Sequence, residues 1–276
     1  MEILDRPNFT EQFFIDRRDA MLHISEIFDQ FNSALDNKRE GFLWIKTALS
    51  YPSFDDFTFA YRNKIFSVIV ERAERTENNK FAFGNAQRVF TLLRECKNNN
   101  LVPCVYPVIE NKDGSRIFYG RPIMNCRNGK HVPSSWNLIR ADSKTFVDPI
   151  SEASDELIEV SDWELQNWAV QIVSDYLYKE GFKRLSYCDM LGIEPHIWFE
   201  NSNGAKCWIE VLYAKYPDTD KTFSFANWPH EVLKYDGYKA VVSFANINID
   251  KPYEKLYRAQ GADVNFRGIT LVHSGN

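Results

Sequence analysis

The chain has 276 residues, 44% hydrophobic and 26% charged, with 12 Gly and 11 Pro, the make-up of a folded protein of one large or two ordinary domains. The net charge of −5 is uneven: residues 1–150 carry 21 Lys+Arg against 19 Asp+Glu, and residues 151–276 carry 12 against 19. An acidic second half argues against a duplex-binding surface, and no apolar run approaches the ~20 residues that a membrane helix needs.

At the N-terminus, "MEILDRPNFTEQFF" has charges where a signal peptide would have its apolar core, so the expected location is the cytoplasm. Residues 10–35 place apolar side chains at 13, 14, 21, 24, 27, 28 and 31, which predicts an amphipathic helix. "SFDDFTFAYRNKIFSVIVERAE" (53–74) offers Ser53 as an N-cap with acids behind it and predicts a second helix. A third, about 84–97, has Ala86, Val89, Phe90, Leu93 and Cys96 on one stripe and stops at "NNN".

The period then changes. "LVPCVYPVI" (101–109) reads as a strand whose two prolines favour an edge or irregular place. "KDG" turns the chain into "SRIFYGRPIM", and "NLIRADSKTFVDP" reads as a hairpin around "DSK". Residues 1–150 are thus expected to form a helical-then-β domain. "SEASDE" (151–156) is the expected linker to a second domain over 157–276. There is no internal repeat.

In the second half, Ser161-Asp-Trp-Glu164 is a capping box opening a helix with Leu165, Trp168, Ala169, Ile172, Val173 and Tyr176 on one face, ended by Gly181. "FKRLSYC" reads as a strand. "EPHIWFENSNGAKCWIEVLYAKYP" (194–217) holds two more around Asn203-Gly204. Asn227 and Pro229 start a short helix that "DG" at 236–237 ends, "YKAVVSFANI" (238–247) is a buried strand, and "ADVNFRGI" (262–269) adds another. The expected class is α/β, α+β overall, with the order α-β-β-β-α-β in the second half.

The hairpin has two registers. A two-residue Asn-Gly turn pairs Trp198 with Ile209 and Glu200 with Cys207. A three-residue Ser-Asn-Gly turn with a glycine bulge pairs Glu200 with Lys206, Trp198 with Trp208 and His196 with Glu210. The second gives an ion pair and an aromatic pair, each worth ~0.2–1 kcal/mol, and is the expected one.

This order, with that hairpin at its centre, resembles the restriction-endonuclease-like PD-(D/E)xK superfamily over roughly residues 160–250. In that family an Asp after a proline and an (Asp/Glu)-x-Lys on the next strand hold Mg²⁺ and orient water. Here Pro195-His196 stands at the first position and Glu210-Val211-Leu212 at the second, so one of the three signature groups remains. The resemblance implies a core that has lost its catalytic lysine and first aspartate.

Glu210, the only acid in "CWIEVLY", and His196 are the candidate metal ligands. A histidine at this place suits Mn²⁺ or Zn²⁺ better than Mg²⁺, which prefers oxygen. The alternative role for the two is a buried histidine–carboxylate pair. Glu164 is a third candidate catalytic residue, from the first helix, although its place in the capping box gives it a structural task. Lys183, Lys206 and Lys239 could stand in for the absent lysine, Lys206 being expected to pair with Glu200. Cys207 falls on the face opposite Glu210, as a core thiol rather than a nucleophile. Five scattered cysteines without CxxC argue against a disulfide framework or a structural zinc, and Cys126 and His131 are too few for one. There is no Walker A, GxGxxG or GxSxG sequence, and the tryptophans are expected in the core.

The expected function is binding or scaffolding by a degenerate nuclease-like core, with no cofactor and with a protein partner rather than nucleic acid or membrane. The alternative is a divergent metal-dependent nuclease or phosphodiesterase using Glu210, His196 and Glu164 with Mg²⁺ or Mn²⁺.

Overall fold

The computed structural model describes residues 10–36, 40–45, 54–75, 81–110, 116–118, 125–127, 130–132, 136–248 and 250–275. They form helices and mixed sheets, α+β overall, in two compact units that divide between Glu156 and Leu157. Among the described residues, no helix is long and apolar enough to cross a membrane.

The first unit opens with α1 (Glu11–Asn32), capped by the Thr10 side chain accepting the Phe13 N–H. There follow β1 (Phe42–Ile45), β2 (Phe57–Tyr61), β3 (Lys64–Arg75), β4 (Phe81–Phe83), α2 (Ala86–Asn99) and β5 (Val102–Glu110). Three short strands, β6 (Arg116–Phe118), β7 (Asn125–Arg127) and β8 (Lys130–Val132), lead to β9 (Ile139–Arg140) and α3 (Pro149–Glu152). The main sheet runs β1-β2-β3-β5-β6, with β4 also on β3 and β9 also on β5. Among the described strands of this sheet only β3 and β5 are parallel, and α2 makes the crossover between them. Ala20, Ile24, Ile27 and Phe28 of α1 pack on Phe59, Phe66, Val68 and Val70. Alternation turns Ser67, Ile69 and Glu71 to the other face, where α2 lies.

The helix expected over 53–74 is instead the β2–β3 hairpin, and Ser53 lies outside the described residues. The segment alternates as a strand does: Phe57 and Phe59, then Phe66, Val68 and Val70, fill one face, and β-branched and aromatic residues dominate it. Arg62, at φ 49°, and Asn63 form the two-residue reversal that leaves Tyr61 opposite Lys64. β5 is not at an edge either. Its Pro103 carbonyl accepts the Ala141 N–H, so the nitrogens of Pro103 and, by parity, Pro107 face the side where β9 and β6 pair only in short stretches. The hairpin around "DSK" is present, with the Arg140 N–H donating to Thr145, while the "KDG" turn lies outside the described residues.

The expected linker 151–156 belongs to this first unit. Its first two residues close α3, Asn63 bonds Ser154 (3.0 Å) and the Glu156 carbonyl (2.8 Å), and Arg62 pairs with Asp155.

The second unit contains α4 (Asp162–Lys179), β10 (Lys183–Tyr187), β11 (Ile197–Glu200), β12 (Lys206–Lys215), α5 (His230–Leu233), β13 (Asp236–Ala245) and β14 (Asp263–His273). Its sheet runs β10-β11-β12-β13-β14, parallel only between β12 and β13. Asp236 and Gly237, expected to end the short helix, begin β13 instead. α4 covers one face with Leu165, Ala169, Val173 and Leu177 against Ile197, Phe199, Cys207, Ile209 and Val211. Both units share a course of a helix, three antiparallel strands in sequence order, a crossover and a strand parallel to the third, and the first unit adds β4 on β3 before its crossover.

Candidate functional site

The hairpin of β11 and β12 takes the bulged register: Trp198 faces Trp208 and Glu200 faces Lys206. The Gly204 N–H donates to the Asn201 carbonyl, the Asn201 N–H to the Ala205 carbonyl, and Gly204 holds φ +75°. Asn201 Oδ1 also accepts the N–H of Asn203 and Ala205, which fixes the three-residue reversal. This register continues to His196 opposite Glu210. Their side chains meet with Nδ1 3.1 Å from Oε2, at 5% and 1% side-chain exposure.

The two atoms are in contact without an aligned hydrogen bond, since neither has hydrogen-bond geometry to a partner, and nor does His196 Nε2. Burial pushes the Glu210 carboxyl above its ordinary range, and the neighbouring imidazole only partly offsets it. The pair lies on the sheet face away from α4. There the neighbouring Trp208 is fully buried, with ring centroids 4.7 Å from Trp228 and 6.2 Å from Phe225. Gly237 makes room for it: a Cβ there would sit 2.0 Å from the indole. Neither the cavity of about 320 Å³ in the first unit nor the one of about 110 Å³ in the second is lined by His196 or Glu210.

Glu164 does not join them. Both its oxygens accept from buried Arg258, with Nη2 to Oε2 at 2.6 Å, and Oε2 also accepts the Ser161 N–H in the capping box. The three candidate residues are thus two sites: a His196–Glu210 pair, and a Glu164–Arg258 pair that anchors the start of α4. Arg258, 94 residues from Glu164 and in an irregular segment, carried no sequence signal.

The lysines are occupied as well. Lys183, not Lys206, pairs with Glu200 (3.0 Å), and Lys206 stacks on Trp198 (4.2 Å) and Tyr235 (5.0 Å). That corrects the expected Glu200–Lys206 ion pair; the indole face and the phenol ring draw the ammonium instead. Lys239 stands directly across from Glu210 in the parallel register, but its ammonium is 2.8 Å from Asp220. Cys207 is a core residue beneath α4, and burial raises its thiol.

A metal held here would need a third donor. Among the described residues no three His, Cys, Asp or Glu side chains are grouped to hold an ion, and Glu164 is taken by Arg258. One imidazole and one carboxylate are two donors, short of the near-octahedral oxygen set that Mg²⁺ requires.

Residues 163–272, less than half of the chain, match the family described as Domain of unknown function (DUF8840). No curated protein and no solved structure matches the chain.

Proposed function

We propose that roughly residues 160–250 form a restriction-endonuclease-like core that no longer cuts and that serves binding or scaffolding in the cytoplasm. The strand order β10-β11-β12-β13, with its single parallel pair after the crossover, supports the kinship. The observation that carries the loss of chemistry is the state of Glu210. The one retained signature carboxylate is 1% exposed against an imidazole, and the lysine across from it is bound to Asp220. An active metal site needs an open position for water or substrate, and Glu210 has none. The acidic charge of residues 151–276 favours a protein partner over nucleic acid. Buried free thiols at Cys96, Cys104, Cys188 and Cys207 suit a reducing compartment.

The test is incubation of the pure protein with labelled single- and double-stranded DNA and RNA, with Mg²⁺ or Mn²⁺. The reading predicts no cleavage that is lost in Glu210→Gln. Glu210-dependent cleavage would replace it with the metal-dependent nuclease.

A further inference from the structure

The two edges of the second unit's sheet are unlike. At one lies β10, five residues long, with Lys183 and Arg184 and a bulge between Arg184 and Ser186. Short length, charge and a bulge are the usual means by which an edge is kept from pairing with another strand. The other edge is β14, eleven residues long, with β13 its single strand neighbour among the described residues. It contains no proline or lysine, and its Val264 and Leu271 are 49% and 51% exposed. Its bulge comes after Phe266, where Arg267 and Gly268 lie between the pairs Val242–Phe266 and Ala240–Ile269. Residues 263–266 pair with β13 without interruption, so alternate backbone groups on their outer side are left as a regular template.

The side chains of that stretch are sorted by face. Val264 stands opposite Phe244 and Phe266 opposite Val242, on the face that α4 covers, and the Phe266 ring centroid is 5.3 Å from that of Tyr176 on α4. Asp263, Asn265 and Arg267 alternate to the other face. Asp263 and Arg267 are both exposed, and among the described residues neither has an ion pair. Four residues along a strand set their Cα atoms about 13 Å apart. An antiparallel copy of the strand, related by a two-fold axis through Asn265, brings such charges together. It places Asp263 of each copy opposite Arg267 of the other, so that the contact forms twice, and it places Val264 opposite Phe266 on the face of α4. Moving the axis by one residue sets Asp263 opposite Ile269 or Asn265 instead, and the charges no longer meet.

We propose that the chain pairs with a second copy of itself along β14, antiparallel about Asn265, so that two five-stranded sheets join edge to edge. The occupant of the edge is this chain rather than a foreign peptide, because its charged and its apolar side chains both find their complements within the same five positions, 263–267. A contact of this kind is the same patch on both partners and closes on itself, so it makes a dimer and not a fibre. It depends on the order of the sheet and on the edge residues, not on His196 or Glu210, and is independent of whether the core cuts.

The test is sedimentation equilibrium of the full chain, with circular dichroism to show that each variant is folded. With rising concentration the wild type should pass from 32.3 kDa to twice that mass. Asp263→Arg and Arg267→Asp each set like charges opposite one another at both contacts, and each should weaken association roughly tenfold or more. Mixed in equal amounts, the two variants face each other with opposite charges at both contacts, and the mixture should associate as the wild type does. Should either variant not fold, the wild type still decides: its association must weaken between about 50 mM and about 500 mM salt, as exposed ion pairs are screened. A wild type that stays monomeric up to about 100 μM, association indifferent to both charge reversals or to salt, or two folded variants that do not recover on mixing would each overturn the pairing. None of these outcomes bears on Glu210.

Discussion

Arg258 and Glu164 form a buried pair with a bidentate reach, 3% and 2% exposed, and each would be costly to bury alone. Arg258→Met leaves Glu164 charged without its partner, so chemical denaturation should show a loss of about 3–5 kcal/mol. A loss below ~1 kcal/mol, as for a surface pair, would mean that the pair is solvated. Glu210 presents the opposite balance. Its folded carboxyl is raised, so the native state holds the proton more firmly than the unfolded chain does. Stability therefore falls as pH climbs from the ordinary value of 4.5 through the raised one. Glu210→Gln removes that slope: it should gain on the wild type towards neutral pH and match it in acid, read from denaturation midpoints across pH. A variant that lost ground as pH rose would show that the ionised carboxylate stabilises the fold. The neighbourhood of His196 and Glu210 was legible because a short turn fixes strand parity. Arg258 was not, because tertiary pairing across 94 residues leaves no periodic trace.

At the scale of elements, turn chemistry decided the hairpin. Asn-Gly alone suggested a two-residue turn, but the cross-strand partners and the Asn201 side chain select the bulged one. Gly204 sits at φ +75° with nothing within 4 Å of the place an added methyl would take, so Gly204→Ala meets backbone strain and no clash. It should cost about 1 kcal/mol in a urea titration; an unchanged midpoint would contradict the bulge. The β2–β3 segment shows where local reading fails. "VERAER" at its end has helical composition and Asp55-Asp56 imitate a helical first turn, yet Asp56 instead clamps Arg88 and the Val70 N–H. Long-range sheet pairing overrode the local preference. The capping box of α4, whose bonds are all local, was legible in full.

At the scale of the whole molecule, two units with one course of strands differ in what they do with it. The first has charged groups around an open cleft; the second covers the sheet face that bears His196 and Glu210 with Trp208 and Trp228. The sequence carries no repeat that would announce this likeness, because sheet topology depends on which faces are apolar rather than on which residues make them so. Glu210 and His196 are proposed to be a closed structural pair rather than a metal centre. Electron paramagnetic resonance of Mn²⁺ titrated into the wild type and into Glu210→Gln tests it most directly. The account predicts superimposable curves for the two proteins; a bound Mn²⁺ signal present in the wild type and missing in Glu210→Gln would contradict it.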